Sequence, residues 1–513
     1  MNTPKILFNK VMLPAAIAST LFIAGCAEDE KDADLRVIHA SPDAPPVNVQ
    51  ISSRTYNKEI SNLDYAASSG YESVRSGRRD VTVEAIIPGG NLDVLSEPGF
   101  KFDMGQRYNV LAVGKVAEDP SVDGDELDLL LVEESAANPG AGEVAVAVVH
   151  ASADAPEVDV YVTAPGTDVS DPNLFPNFTF DFKDPAVDAG SLPAGKYDIT
   201  VTLAGKKDVA YNISDVDLSP FAGQKLLIAA VSTTTATNKE ASPIKLLVAT
   251  DDAQLVLLDE DTAAGARVVH LSPNADAAAA SLGEPDGKVE VIANSLSLGV
   301  SGLELIDGFT YTEIAPPVGN SPLPLTTDGS YVLVPPANDF TFDVNVNEGA
   351  NVFMSGEVPL SSGSEYTVIA SGLVGMDPLF DLLATEDNNR SIVTQATVKV
   401  VHGAPAAGTV NVYVTPAGDY TKEEIEAAYN SGDDSIKPLL ENFNFGDITD
   451  YVPVPPGDYD IRVIPYALGI AAINEEDQEL AAGLVATVIA RQPNDVGAPS
   501  GTPTDFGLVL LTN

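Results

Sequence analysis

Four residues in this 513-residue chain have side chains suited to acid–base work or metal ligation near neutral pH: His39, His150, His270 and His402. Each follows a Val-Val or Val-Ile pair and precedes a turn of small residues, in "VIHASPDAPPVNV", "VVHASADAPEVDVYV", "VVHLSPNADAAAA" and "VVHGAPAAGTVNVYV". Zinc requires three or four ligands converging to about 2.3 Å, usually with histidines paired at short spacing. These histidines are solitary, standing 111, 120 and 132 residues apart, with no cysteine near any of them. The pattern therefore predicts a structural role in which each imidazole hydrogen-bonds backbone at the turn that follows it.

Other reactive constellations are equally thin. Ser41, Ser152 and Ser272 stand two residues after a histidine, but Ala404 takes that place in the fourth copy, and no G-x-S-x-G elbow occurs. Acidic residues crowd "DGDELD", with Asp123 and Asp125, and "ATDDAQLVLLDED", with Asp251, Asp252 and Asp259. Oxygen ligands of this kind could hold calcium and stiffen a junction, although neither stretch has EF-hand spacing. A solvated acidic linker is the favoured reading of both. Sugar-binding platforms are usually aromatic; tryptophan is absent, and Tyr161 and Tyr413 sit in alternating strands that could face either way.

The elements that carry these residues repeat. After each histidine come a turn and an alternating strand at "SGRRDVTV" (Gly77), "AGKYDITV" (Gly195), "ANDFTFDV" (Asn338) and "PGDYDIRV" (Gly457). Glycine and asparagine both tolerate positive φ, so one turn geometry is expected at all four. Further glycines, Gly105, Gly223, Gly363 and Gly483, each precede a strand with alanine seven residues on: Ala112, Ala230, Ala370 and Ala490. The small side chain implies a close approach of two sheets. A leucine-rich strand closes each copy. Short strands with period-two alternation and Gly/Pro/Asn/Asp turns predict four antiparallel β-sandwiches of immunoglobulin-like kind, all-β, in a tandem array. Only "YTKEEIEAAYNS" reads as a helix. The units are placed at 35–137, 143–262, 265–390 and 395–513, strung as a linear array.

Residues 1–25 read as a lipoprotein signal peptide. Lys5 and Lys10 precede an apolar stretch too short to span a bilayer, and Ile23-Ala24-Gly25-Cys26 is similar to a lipobox. Cys26 is the sole cysteine, as expected of a lipid attachment point, and residues 26–34 would form an acidic tether. Ala27 follows rather than aspartate, which favours the outer membrane or cell surface after export. With 75 acidic and 27 basic residues the formal net charge is −48, a surface that repels nucleic acid.

Together the "VVHASPDAP…VDVYV", "LPAGKYDITV" and "YTVIASG" elements resemble the bacterial domain-of-unknown-function family 4397. The likeness spans most of residues 35–513 and is strongest in the second and fourth units. The third departs after His270, which puts its second strand in doubt, and the first has Arg79 where the others have Tyr197, Phe340 and Tyr459. The resemblance implies secreted or surface-anchored β-sandwiches and carries no catalytic residues. The expectation is thus a lipid-anchored, non-catalytic envelope protein for adhesion, spacing or binding of a protein or polysaccharide partner, without a cofactor unless calcium binds. The alternative is an extracellular polymer hydrolase with carboxylates in an inter-domain cleft.

Overall fold

The computed structural model describes residues 32–117, 124–134, 138–184, 187–235, 241–283, 288–309, 311–312, 314–315, 326–327, 331–346, 351–376, 381–493 and 506–512. Its strands form eight sheets, two per unit. In the first unit one sheet has the order Ala67–Arg75, Asp32–His39, Arg107–Val113, Asp128–Glu133; the other has Tyr56–Leu63, Val47–Ser53, Gly77–Ile87, Gly90–Phe102. The first strand thus takes in Asp32–Asp34, and Ala33 is already core. Val47, Val49 and Ile51 meet Val81 and Val83 on the inner face of the second sheet, while Gln50 and Glu84 hydrogen-bond on its outer face. That alternation is what a half-buried antiparallel sheet demands.

The histidine sheet is different. Each histidine strand runs parallel to the strand after the repeated glycine; the other pairings between strands are antiparallel, and the first unit adds one isolated parallel bridge, Lys115 to Glu126. The parallel ladder puts His39 opposite Ala112, His150 opposite Ala230, His270 opposite Ala370 and His402 opposite Ala490. The glycine supplies a left-handed turn (φ 71, 84, 74 and 82°), and its N–H donates to a carbonyl at the start of, or just before, the histidine strand. By contrast, the expected common turn at Gly77, Gly195, Asn338 and Gly457 is not shared: φ is positive at Gly77 and Gly457 but not at Gly195 or Asn338. In the third unit Val289–Ser295 supplies the second strand, and the departure after His270 is a short helix, Ala275–Ser281. The expected helix covers Lys422–Ser431, started by a Thr421/Glu424 capping box.

Histidine sheets are buried on both faces. Leu35 and Val37 point into the first sandwich, whereas Ile38, Leu111 and Val113 pack against Val149, Leu227 and Leu247 of the second. Val269 and Ile369 of the third likewise meet Val401, Ile489 and Val509 of the fourth. The units therefore associate face to face, first with second and third with fourth, rather than end to end as a linear array requires. This also explains why "VAVAVVH" runs apolar without alternation.

Arg390, between the third and fourth units, joins the pairs. Its guanidinium donates to Ala44 O (2.6 Å), pairs with Asp64 (2.5 Å) and lies over Tyr65, while Val393 N–H donates to Asp43 O. Replacing Arg390 with methionine strands the Ala44 carbonyl in a buried contact. We expect a loss of roughly 2–4 kcal/mol of docking. It would be read as faster proteolysis between the pairs and a larger radius of gyration, with the melting of each pair unchanged.

Candidate functional site

His39, His150 and His402 make the same set of contacts, and His270 differs in one partner. Nδ1 accepts the N–H two residues on, from Ser41, Ser152, Ser272 and Ala404, at 3.2–3.3 Å. Nε2 must then carry the proton, and it donates to Pro45 O (3.0 Å), Pro156 O (3.2 Å) and Gly408 O (2.8 Å). In the third unit the helix displaces that carbonyl, and the Asp276 carboxylate takes its place at 3.0 Å. The imidazole thus pins the arch by which the chain crosses from one sheet to the other. Because the N–H at position +2 comes from backbone, serine and alanine serve equally, and the Ser41 hydroxyl is turned to Asp43 while both His39 nitrogens meet backbone.

An aromatic completes each clasp. Tyr65, Phe182, Tyr311 and Phe445 meet their histidine rings steeply, with centroids 6.1–6.4 Å apart. The residue after each aromatic (Ala66, Lys183, Thr312, Gly446) has φ between 56 and 87° and donates its N–H to the histidine's own carbonyl. Sequence reasoning missed these aromatics because their distance from the histidine varies. Their signal is an apolar residue two positions earlier, in "LDYA", "FDFK", "FTYT" and "FNFG". Burial in this setting holds the His39 imidazole down at about 4 and lowers those of His150 and His402, in each case against a smaller opposing pull from the carbonyl that Nε2 bonds.

Three residues before the histidine, on the outward face, stand Arg36, Arg267 and Lys399, each over a tyrosine ring: Tyr71, Tyr331 and Tyr451, at 4.5, 4.7 and 4.3 Å. Between the third and fourth units they converge on Asp387. Its carboxylate pairs with Arg267 (3.2 Å) and Lys399 (3.8 Å), and accepts from the hydroxyls of Tyr331 (2.9 Å), Tyr451 (3.2 Å) and Thr367. Burial lowers Lys399 and raises the Tyr451 phenol to about 12. Between the first and second units, Arg36 donates to Asn109 and Thr250 O (2.6 Å each), and Arg107 pairs with Glu134 and Asp251. Among the described residues, these two interfaces are occupied by apolar packing and ion pairs, with Arg36 Nη2 left without a hydrogen-bond partner.

The acidic candidates are dispersed. Cys26 and Asp123 lie outside the described residues. Asp125 is buried, its carbonyl accepting from Lys115 N–H. Asp251 is taken by Arg107, and Asp252 donates its N–H to Thr250. Asp259 is pushed up by burial, yet both its oxygens accept backbone N–H groups, from Asn212 and Asp261. No group of three or more His, Cys, Asp or Glu that could hold a metal ion occurs among the described residues. Tyr161 and Tyr413 are buried, the first under Lys207 and the second beside Ile425 and Ile464, so neither offers a sugar platform. Two cavities, about 120 Å³ in the second unit and about 60 Å³ in the fourth, are lined mainly by aliphatic and aromatic side chains, with His150 and Asn177 in one and His402 and Thr449 in the other.

A family model described as "Domain of unknown function (DUF4397)" matches residues 33–161 and 285–413, about half the chain. Both matches cross a junction and finish in the second strand of the next unit, at Tyr161 and Tyr413. Among solved structures, a crystal structure of a candidate adhesin from Bacteroides ovatus is similar at 8% identity and a TM-score of 0.13. That alignment covers 44% of this chain and 95% of that one. No curated protein sequence matches.

Proposed function

The chain belongs to the DUF4397 family, and on that footing we propose that it is a lipid-anchored, non-catalytic envelope protein that displays paired β-sandwiches for adhesion, spacing or partner binding. One observation carries the non-catalytic part. Every histidine is spent internally, with both ring nitrogens engaged by nearby backbone or, for His270, by Asp276. A general base needs a nitrogen free to meet substrate. The anchoring part is supported by Lys5, Lys10, the apolar stretch and Cys26. The hydrolase alternative draws no support from Asp259, whose carboxylate staples a loop.

The test is fractionation of cells expressing the full chain. Wild-type protein is expected in the membrane fraction and in the detergent phase of a phase separation. A Cys26→Ser chain is expected to leave both. Wild-type protein in the aqueous phase would overturn the anchor. A purified chain that cleaves an envelope or extracellular polysaccharide would overturn the non-catalytic reading.

A further inference from the structure

The leucine-rich strand lies one place outside the alanine strand in each unit, in the same register: Leu129 faces Ala112, Leu246 faces Ala230, Leu382 faces Ala370 and Leu508 faces Ala490. In the second unit a further strand, Gln254–Leu257, covers it in antiparallel pairing, with Leu246 opposite Leu257 and Val248 opposite Leu255. Tyr211 donates to the carbonyls of Leu257 and Leu258 and holds the added strand in place. In the other three units the leucine strand is the sheet edge among the described residues.

Those three edges are not alike. An open edge offers a row of unpaired N–H and C=O groups, which proteins ordinarily guard with charge. The first unit's strand begins at Asp128 and ends at Glu133, and Lys183 of the second unit reaches over to Glu126 and Asp128. The third begins at Asp381 and ends with Glu386 and Asp387. The fourth, "GLVLLT" (Gly507–Thr512), carries no charge in a chain of net charge −48. The position equivalent to Val248, which is 3% exposed, is Leu131 at 37% in the first unit, an exposed alanine, Ala384, in the third, and Leu510 at 55% in the fourth.

We propose that the edge of Gly507–Thr512 takes an added antiparallel strand from a partner polypeptide, and that this strand has the chemistry of Gln254–Leu257: extended, uncharged and apolar. The second unit supplies the template, since it already holds such a strand on the equivalent ladder. Backbone hydrogen bonds would provide affinity, and the apolar side chains would cover Leu510. A second copy of this chain is disfavoured as the occupant by charge repulsion between two molecules of −48. The proposal deepens the display reading by naming one edge and its partner class.

Hydrogen exchange on the full chain tests it, with a synthetic peptide carrying QLVL between solubilising lysines as the probe, at physiological salt. The expected result is that peptide slows exchange in residues 507–512 at least tenfold and leaves Gln254–Leu257 unchanged. Leu510→Lys should weaken the effect at least tenfold, and Thr512→Lys, at an exposed site, gives the same reading should the first variant melt early. Three results overturn the proposal: outward amides of 507–512 already protected in the free chain, protection that grows with protein concentration without peptide, or no protection at saturating peptide. None of these alters membrane fractionation, so the edge can fail while the display reading stands.

Discussion

Asp387→Ala is expected to lower the stability of the third and fourth units by roughly 3–5 kcal/mol, the ordinary cost of removing one partner from a buried ionic cluster. Five groups lose this carboxylate as a partner, Arg267, Lys399 and the hydroxyls of Thr367, Tyr331 and Tyr451, although Lys399 keeps Thr385 Oγ1 and Glu386 O. Arg267 cannot shed its charge, and its side chain is 3% exposed, so water does not replace the carboxylate. For a pair of this size the melting point should fall by on the order of 10 °C. Calorimetry of the full chain would show one transition move down while that of the first and second units stays. Asp387→Asn keeps an acceptor oxygen and should cost less. An unchanged thermogram would mean that the cluster is solvated and that the third and fourth units do not hold each other.

His39→Ala carries the second large effect. It removes the donor to Pro45 O and the acceptor for Ser41 N–H, and opens a void beside Tyr65 in a site with no exposure. The expected loss is about 2–4 kcal/mol at neutral pH. The pH dependence gives the sign. His39 titrates at about 4 in the folded chain against roughly 6.5 unfolded, so between those values the unfolded state binds the extra proton. Its contribution is therefore complete above about 6.5 and falls away as pH drops toward about 4, by at most about 3 kcal/mol. Chemical denaturation of wild type across that window should show this slope, and His39→Ala should lose its share of it. A wild-type stability flat from pH 7 to 4 would mean that the ring is not held neutral.

Much of the architecture is legible in the residues. The histidines, the glycines from Gly105 to Gly483 and the alanines seven positions later are points on one parallel ladder, which is why their order never changes. What the alanines Ala112, Ala230, Ala370 and Ala490 share is their place beside the histidine in that ladder. Face-to-face pairing was also written in the chain, in apolar runs such as "VAVAVVH" that a sandwich with one wet face would not need. What stayed hidden depends on distance in sequence. Tyr65 and Phe445 reach their histidines through loops of unequal length, and Arg390 reaches Ala44 and Asp64 across 346 and 326 residues. No local pattern marks such a partner. Tyr161 and Tyr413 failed as surface candidates because period two cannot say which face of a strand a neighbouring segment will cover, here Lys207 in one unit and a helix in the other.

The central claim is that the four histidines are clasps of the fold and not reactive groups, with His39, His150 and His402 held neutral. Four histidines give four resolvable imidazole signals, so NMR of the full-length chain through a pH titration measures each one. The account predicts the Nε2-protonated tautomer for His39, His150 and His402 at pH 7. It predicts a midpoint near 4 for His39, displaced below the ordinary value for His150 and His402, and no broadening by added zinc. Midpoints near 6.5 for His39, His150 and His402, or signals that shift with stoichiometric metal, would contradict it and return the histidines to the list of functional groups.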